Sequence, residues 1–302
     1  MTFQIIKKNN DIIYQYEFNN LNELLNYINN TPVYSNSFTS LVSHRIDDND
    51  FFRTKDYEEA VNLCKYGMPT DKIKDFLSLN KDLEAILPNI TKDRRIIENI
   101  YGMRPNIPKY LRGNPKSMYF LKRYKPTGTI DVYYNVSISG MTKLDKILNR
   151  GICAIQLVKL LETLGYIVSF YLISLSRVNN EYTYANIKIK NDFEKIDPIT
   201  CYFPMCHPSF PRRIMFSLKE VTPYQDVYNH YGAEVDDKVF LDSINTTSAN
   251  KIIIPKASMF NKTNIVDNFL ELCKYVNIDN FINDNNKLDY DTKEKKLVIR
   301  RK

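Results

Sequence analysis

The chain has no tryptophan, no apolar run approaching about 18 residues, and none of the short signatures that mark common catalysts. Gly-x-Ser-x-Gly and His-Glu-x-x-His do not occur, which removes the nucleophile-elbow and zincin readings. No dinucleotide fingerprint is present. Lys116-Ser117 follows Gly113, but the full spacing of a phosphate loop and a preceding strand are missing. The carboxylate pairs Glu58-Glu59 and Asp236-Asp237 are sequence neighbours whose side chains point apart, a poor basis for acid–base work. The five cysteines (Cys64, Cys153, Cys201, Cys206, Cys273) are an odd, scattered set in a chain large enough to need no staples. No basic start with an apolar run precedes Asn9. A cytoplasmic protein with reduced thiols, no membrane span and no enzymatic activity is the expectation.

What is present suffices for a core. Hydrophobic residues make up 43% and charged residues 25% of the 302, which places the chain among globular proteins of one large or two ordinary domains. The abundance of Tyr, Phe, Ile, Asn and Lys follows AT-rich codons and carries no chemistry by itself. Net charge is +7 and the isoelectric point is near 8.9. Lys and Arg are interleaved with Asp and Glu, and the tail from Lys293 to Lys302 is read as the one plain cluster. A solvated surface with a weak, salt-screened pull on phosphates or acidic proteins is predicted.

Alternation over the first 20 residues predicts a hairpin turning at Asn9-Asn10-Asp11. Leu21, Leu24, Leu25 and Ile28 predict a helix stopped by Thr31-Pro32, and 35–49 reads as a loop. A helix capped by Thr54 or Asp56 buries Ala60, Leu63 and Cys64 and ends at Gly67. Two further amphipathic helices are predicted over 71–87 and 91–101. Gly102, Pro105, Pro108, Gly113 and Pro115 then punctuate a bend, and a boundary is placed near residue 115. The second half starts with a period-two strand from Ile130 to Ile138 and a helix whose face runs through Ile147, Gly151, Ile155 and Val158. Gly165 closes that helix before an apolar strand from Tyr166 to Leu175, so a right-handed βαβ unit is expected. Glu181–Lys190 reads as a hairpin partner, Lys251–Pro255 as a buried strand, Ile265–Val276 as a helix, 240–250 as a loop, and Leu288–Ile299 as a last hairpin. The fold class is α/β: residues 1–115 form a hairpin and a mostly helical portion, and residues 116–302 a Rossmann-like sheet domain.

Asn135-Val136-Ser137-Ile138-Ser139-Gly140 occupies the carboxyl end of the predicted central strand, where open α/β sheets hold their ligands. This spacing resembles the Asp-x-Ser-x-Ser turn of von Willebrand factor A-like domains. The resemblance implies a Mg²⁺ site built from Asn135, Ser137 and Ser139, and, among partners, an AAA+ ATPase of the MoxR kind. Asn135 stands where the family has aspartate, and an amide oxygen brings no charge to a cation that sheds water reluctantly. The implied site is therefore degenerate and expected to be empty. The blocks Phe51–Pro69, Pro105–Met118 and His207–Glu220, in order around the βαβ unit, resemble an uncharacterised family of tailed-bacteriophage proteins, from which no activity follows.

Two further segments carry reactive side chains. Cys201, Cys206 and His207 lack a second pair of zinc ligands downstream, and His44 and His230 stand alone, so buried thiols beside a turn are expected. Arg212-Arg213 has the fork geometry for a phosphate or a carboxylate on a partner; the competing reading is an internal ion pair of Arg213 with Glu220, about two helical turns on. The functional expectation is a non-enzymatic accessory protein that binds another protein. The alternative is a nucleic-acid-associated or virion structural protein, favoured if the basic residues form one face lined by tyrosines.

Overall fold

The computed structural model describes residues 1–8, 10–34, 41–46, 49–87, 96–101, 104–121, 127–192, 194–224, 233–234, 250–282 and 286–301. The fold is mixed α/β. Strands β1 (Thr2–Lys8) and β2 (Asp11–Phe18) form the expected hairpin, in register from Lys8 opposite Asp11. Helix α1 (Leu21–Asn30) starts where the Asn20 side chain accepts from the Glu23 N–H and Glu23 accepts from the Asn19 N–H. The short α2 (Asn49–Phe52) precedes α3 (Tyr57–Tyr66), which is capped by Asp56 and closed by Gly67 at φ 77°. Thr54 takes no part in that cap; it is buried and serves Arg213, as described below. Helix α4 (Lys74–Ile86) follows.

Residues 96–99 are a strand rather than the end of the helix predicted over 91–101. This strand, β3 (Ile96–Asn99), pairs with β5 (Met118–Leu121), which also pairs with the two-residue β4 (Arg104–Pro105). The ladder gives Ile96 and Ile97 a partner in tertiary structure, which overrides a local helical period. Residues 91–95 lie outside the described ones. Between β4 and β5 sits α5 (Ile107–Leu111), tied to β5 by the Asn106 N–H on the Ser117 carbonyl, 2.7 Å.

The main sheet is built around the βαβ unit: β6 (Thr129–Asn135), α6 (Leu144–Thr163) and β7 (Ile167–Val178). β8 (Glu181–Lys190) returns antiparallel to β7 and β10 (Lys251–Ile254) runs parallel on the far side of β6. β2 joins β8 in parallel, so six strands stand in the order β1-β2-β8-β7-β6-β10, with a two-residue β9 (Ala233–Glu234) on β7. The sheet thus takes strands from both sides of residue 115. The strand predicted to run to Ile138 ends at Asn135, whose side chain turns the chain.

One face of the sheet carries Val132, Tyr134, Phe170, Leu172 and Ile187 into the main core, against α6. On α6 the predicted face (Ile147, Gly151, Ile155, Val158) is buried, and so are Ile152, Cys153 and Leu157, because α4, α7 (Pro198–Cys206) and α9 (Ile265–Tyr275) also pack on that helix. After α7 the chain passes through a π turn (Phe210–Ile214) into α8 (Met215–Glu220). The last two strands, β11 (Asn286–Asp291) and β12 (Lys296–Arg301), form the expected closing hairpin. Among the described residues no helix is long and apolar enough to cross a membrane.

Candidate functional site

Parallel strands β6, β7 and β10 direct attention to their carboxyl ends, the usual ligand crevice of such sheets. Arg150, on α6, is 1% exposed and reaches into that end. Its Nη1 donates to the Asn135 carbonyl at 2.6 Å, Nε to Pro255 at 2.8 Å and Nη2 to Ile254 at 3.4 Å, while the guanidinium lies 4.3 Å from the centre of the Tyr134 ring. The carbonyls that end β6 and β10 are thereby bound by the protein itself. The three residues of the Asp-x-Ser-x-Ser-like turn are each engaged by a different backbone N–H. Asn135 Oδ1 accepts from Ser137 N at 2.8 Å, an Asx turn. Ser137 Oγ accepts from Leu175 N at 3.2 Å and lies 3.2 Å from Ser174 Oγ. The exposed Ser139 accepts from Met141 N at 3.4 Å. With no carboxylate in the set, these donors do not fit a Mg²⁺ well. Among the described residues no group of three or more His, Cys, Asp or Glu could hold a metal ion.

Arg212 and Arg213 leave the π turn in different directions, and both are buried. Arg212 donates to the carbonyls of Gly140, at 3.1 Å, and Phe51, tying the loop after β6 to α2. Arg213 donates through Nε to Thr54 Oγ1 (2.7 Å), through Nη2 to Thr54 O (2.9 Å), and through Nη1 to Ser43 O (2.7 Å) and Arg45 O (3.0 Å). Its guanidinium lies over the Phe52 ring at 4.1 Å. Glu220 accepts from the N–H and the hydroxyl of Ser43, at 3.1 and 2.5 Å. Arg213 and Glu220 therefore grip the same serine. Burial lowers the Arg213 pKa, opposed by Asp56 and Glu59, and the many carbonyls around the fork make its charge tolerable.

Burial holds the thiols and the His207 imidazole in neutral forms. Burial pushes Cys201, Cys64 and Cys273 up to about 12, and Cys206 well above its ordinary range. Cys206 Sγ faces the Leu148 carbonyl at 4.0 Å. His207 is lowered to about 4 by burial and by Arg53, Arg212 and Lys72; its Nδ1 accepts from Ser209 N at 3.2 Å. His44 stacks on Tyr57 with ring centres 4.2 Å apart. His230, Asp236 and Asp237 lie outside the described residues. A cleft of about 580 Å³ opens between α9 and the β11–β12 hairpin, lined by Cys273, Asn277, Asp279, Leu288 and Tyr290, and it too contains no activated nucleophile.

The small sheet of β3, β4 and β5 is flanked by a group of exposed side chains. Ile100 and Tyr101, just after β3, and Ile107, Tyr110 and Leu111, on α5, are each more than half exposed. Arg112 and Lys116 beside them are exposed, and Lys109 is half-buried. Asn99 to Ile130 includes no Asp or Glu.

A family model for a domain of unknown function, DUF7192, matches residues 6–279. The chain belongs to this family. The DUF7192 segment takes in the main sheet from within β1 onward, the arginine-filled crevice and the small sheet, and ends before the β11–β12 hairpin. No curated protein and no solved structure matches the chain. Within the DUF7192 segment, two features escaped the reading of the sequence. Arg150 sits on a helical face otherwise apolar, and two of its three carbonyl partners come from the chain's return at β10. The acid-free run from Asn99 to Ile130 was visible as composition but hidden by counting charge over the whole chain.

Proposed function

We propose that the chain is a non-catalytic binding protein whose working surface is the small sheet of β3, β4 and β5 together with α5. The observation that carries this is the exposure of Tyr101, Tyr110 and Leu111 (66%, 66% and 77%) in a stretch, 99–130, whose sequence holds basic residues and no Asp or Glu, with Glu98 of β3 the acidic residue at its edge. Its counterpart is an acidic macromolecule. The crevice filled by Arg150 and the protonated, buried thiols support a non-catalytic reading. The test is amide hydrogen exchange on the full chain, alone and with two acidic polymers, polyglutamate and a twenty-residue oligothymidylate. Slowed exchange within 96–121 with at least one polymer supports the reading. Protection confined to 135–143 would overturn it and return attention to the crevice.

The order β8-β7-β6-β10 matches the 3-2-1-4 part of the doubly wound order, with β8 antiparallel, which supports a Rossmann-like ancestry for the main sheet. In that reading Asn135, Ser137 and Ser139 are the remnant of a von Willebrand A-like cation turn. The AAA+ ATPase partner and the tailed-phage origin rest on the resemblances alone; no residue of the small sheet identifies either.

A further inference from the structure

β1 is the outermost strand of the main sheet, and among the described residues only β2 pairs with it. Such an edge presents a row of backbone N–H and C=O groups, a template for a further strand unless proline, a bulge or charge blunts it. The centre of β1 has none of these. Its register with β2 is unbroken from Thr2 to Lys8, and Phe3-Gln4-Ile5-Ile6 carries neither proline nor charge. The apolar layer of the main core also runs out into water through this strand. Tyr14 and Tyr16 are fully buried, and opposite them stand Ile5, 49% exposed, and Phe3, 37% exposed and stacked on Tyr16 with ring centres 4.6 Å apart. On the other face Ile6 is 36% exposed. A strand that completes this edge has to bring apolar side chains at alternate positions, and β1 itself meets that demand.

We propose that β1 pairs antiparallel with β1 of a second copy of this chain, joining two main sheets into one across a two-fold axis. With Gln4 opposite Gln4 of the second copy, Phe3 of each chain stands beside Ile5 of the other and Thr2 beside Ile6. Aromatic and β-branched side chains are favourable cross-strand pairs. Charge selects the same direction. Antiparallel pairing sends the two exposed Lys7 side chains about 20 Å apart along the strands, whereas parallel pairing sets like charges side by side. Each Lys7 then reaches the Met1 end of the other chain, where the Glu23 carboxylate lies 3.2 Å from the terminal amine. The opposite edge of the sheet, β10, has four residues against the seven of β1, so head-to-tail growth of the sheet is the poorer match and the contact closes as a dimer. One strand edge covers less than the about 800 Å² per partner of a standard interface, so the dimer is weak, half formed at about 10–100 μM.

The test is sedimentation equilibrium of the full chain from about 1 to about 200 μM, with amide hydrogen exchange measured at both ends of that range. The mass should rise from one chain toward two, and exchange within residues 2–8 should slow at the higher concentration. Ile5→Lys, which sets a cation in the middle of the edge, should raise the midpoint concentration at least about tenfold, and Ile5→Val should leave it within about threefold. Circular dichroism of each variant checks that the fold is intact. The five native cysteines are buried, so a thiol introduced by Gln4→Cys is the accessible one. A short bismaleimide should link Gln4→Cys chains in pairs and should not link Lys65→Cys chains, whose thiol lies on the exposed side of α3. The mass of a single chain at every concentration overturns the proposal and leaves the edge to a strand from another protein. A dimer whose β1 amides exchange alike at both concentrations, or one that Ile5→Lys leaves as tight as the parent, places the contact elsewhere and overturns it too. Growth beyond two chains overturns the closed pairing. Should Ile5→Lys fail to fold, exchange in the parent and the Gln4→Cys cross-link decide.

Discussion

A Cβ placed on Gly151 would lie 2.2 Å from Cys206 Sγ and 3.1 Å from the Met205 carbonyl oxygen. That closeness lets α6 and α7 touch, so Gly151→Ala should destabilise the fold by about 1–3 kcal/mol in urea unfolding, the usual cost of overpacking. Adding Cys206→Ala should recover part of the loss, since the thiol is the nearer clash, but not all of it, since the Met205 backbone remains. The sequence placed Gly151 on the buried helical face; what packs there came only from three-dimensional structure. His207 offers a pH test. Its folded pKa, about 4, lies below its ordinary 6.5, so the folded state resists protonation. The stability that it supports is present above pH 6.5 and is lost as pH falls to about 4, amounting to about 3 kcal/mol. In His207→Asn, where an amide oxygen can take over acceptance from Ser209 N, stability should fall less steeply across that window. Equal slopes for variant and parent would contradict the assignment. Arg213 and Glu220 show the limit of sequence spacing. Two helical turns suggested a direct pair, but Ser43, some 170 residues upstream, stands between them and takes both.

Elements with a clear hydrophobic period were legible. The strand–helix–strand unit from Thr129 to Val178, the first hairpin, β8, β10, α9 and the closing hairpin lie where alternation or helical spacing put them. One failure comes from a partner supplied elsewhere in the chain, the other from a local turn. Ile96 and Ile97 join a ladder with β5, which no local window contains. The carboxyl end of β6 is set by the Asx turn at Asn135, although the alternation of Ile and Val with polar residues runs on to Ile138. For α6 the packing is explicit enough to test. Ile155 is fully buried in the main core. Ile155→Asp would place a charge among apolar side chains, at a cost of about 3–5 kcal/mol. The expected result is a chain that is recovered as aggregate or melts at much lower temperature. A soluble variant with the melting temperature of the parent would show that α6 does not pack as described.

At the scale of the molecule, the punctuated stretch around residues 102–115 suggested a boundary, whereas the main sheet joins both halves. β2 pairs along its length with β8, and Tyr14, Tyr16 and Phe18 lie in the same core as Phe170 and Leu172. The polar groups cross the same line. Tyr14 donates to the buried Glu181 at 2.5 Å, Tyr16 to Thr222 at 3.0 Å, and the Arg213 fork ends on Ser43, Arg45 and Thr54. Removing residues 1–115 would strip one side of β8, leave Glu181 without Tyr14, and deprive Arg213 of all four of those hydrogen bonds. An uncompensated buried charge at Arg213 costs about 3–5 kcal/mol, a large part of the stability of many domains. Residues 116–302 alone should therefore lack a cooperative urea transition, and residues 1–115 alone should lack native strand content by circular dichroism. The intact chain should show coincident transitions by circular dichroism and by tyrosine fluorescence, which the absence of tryptophan leaves unobscured. Two separated transitions, or a cooperative 116–302 fragment, would show that the halves on either side of residue 115 fold as independent units despite the shared sheet.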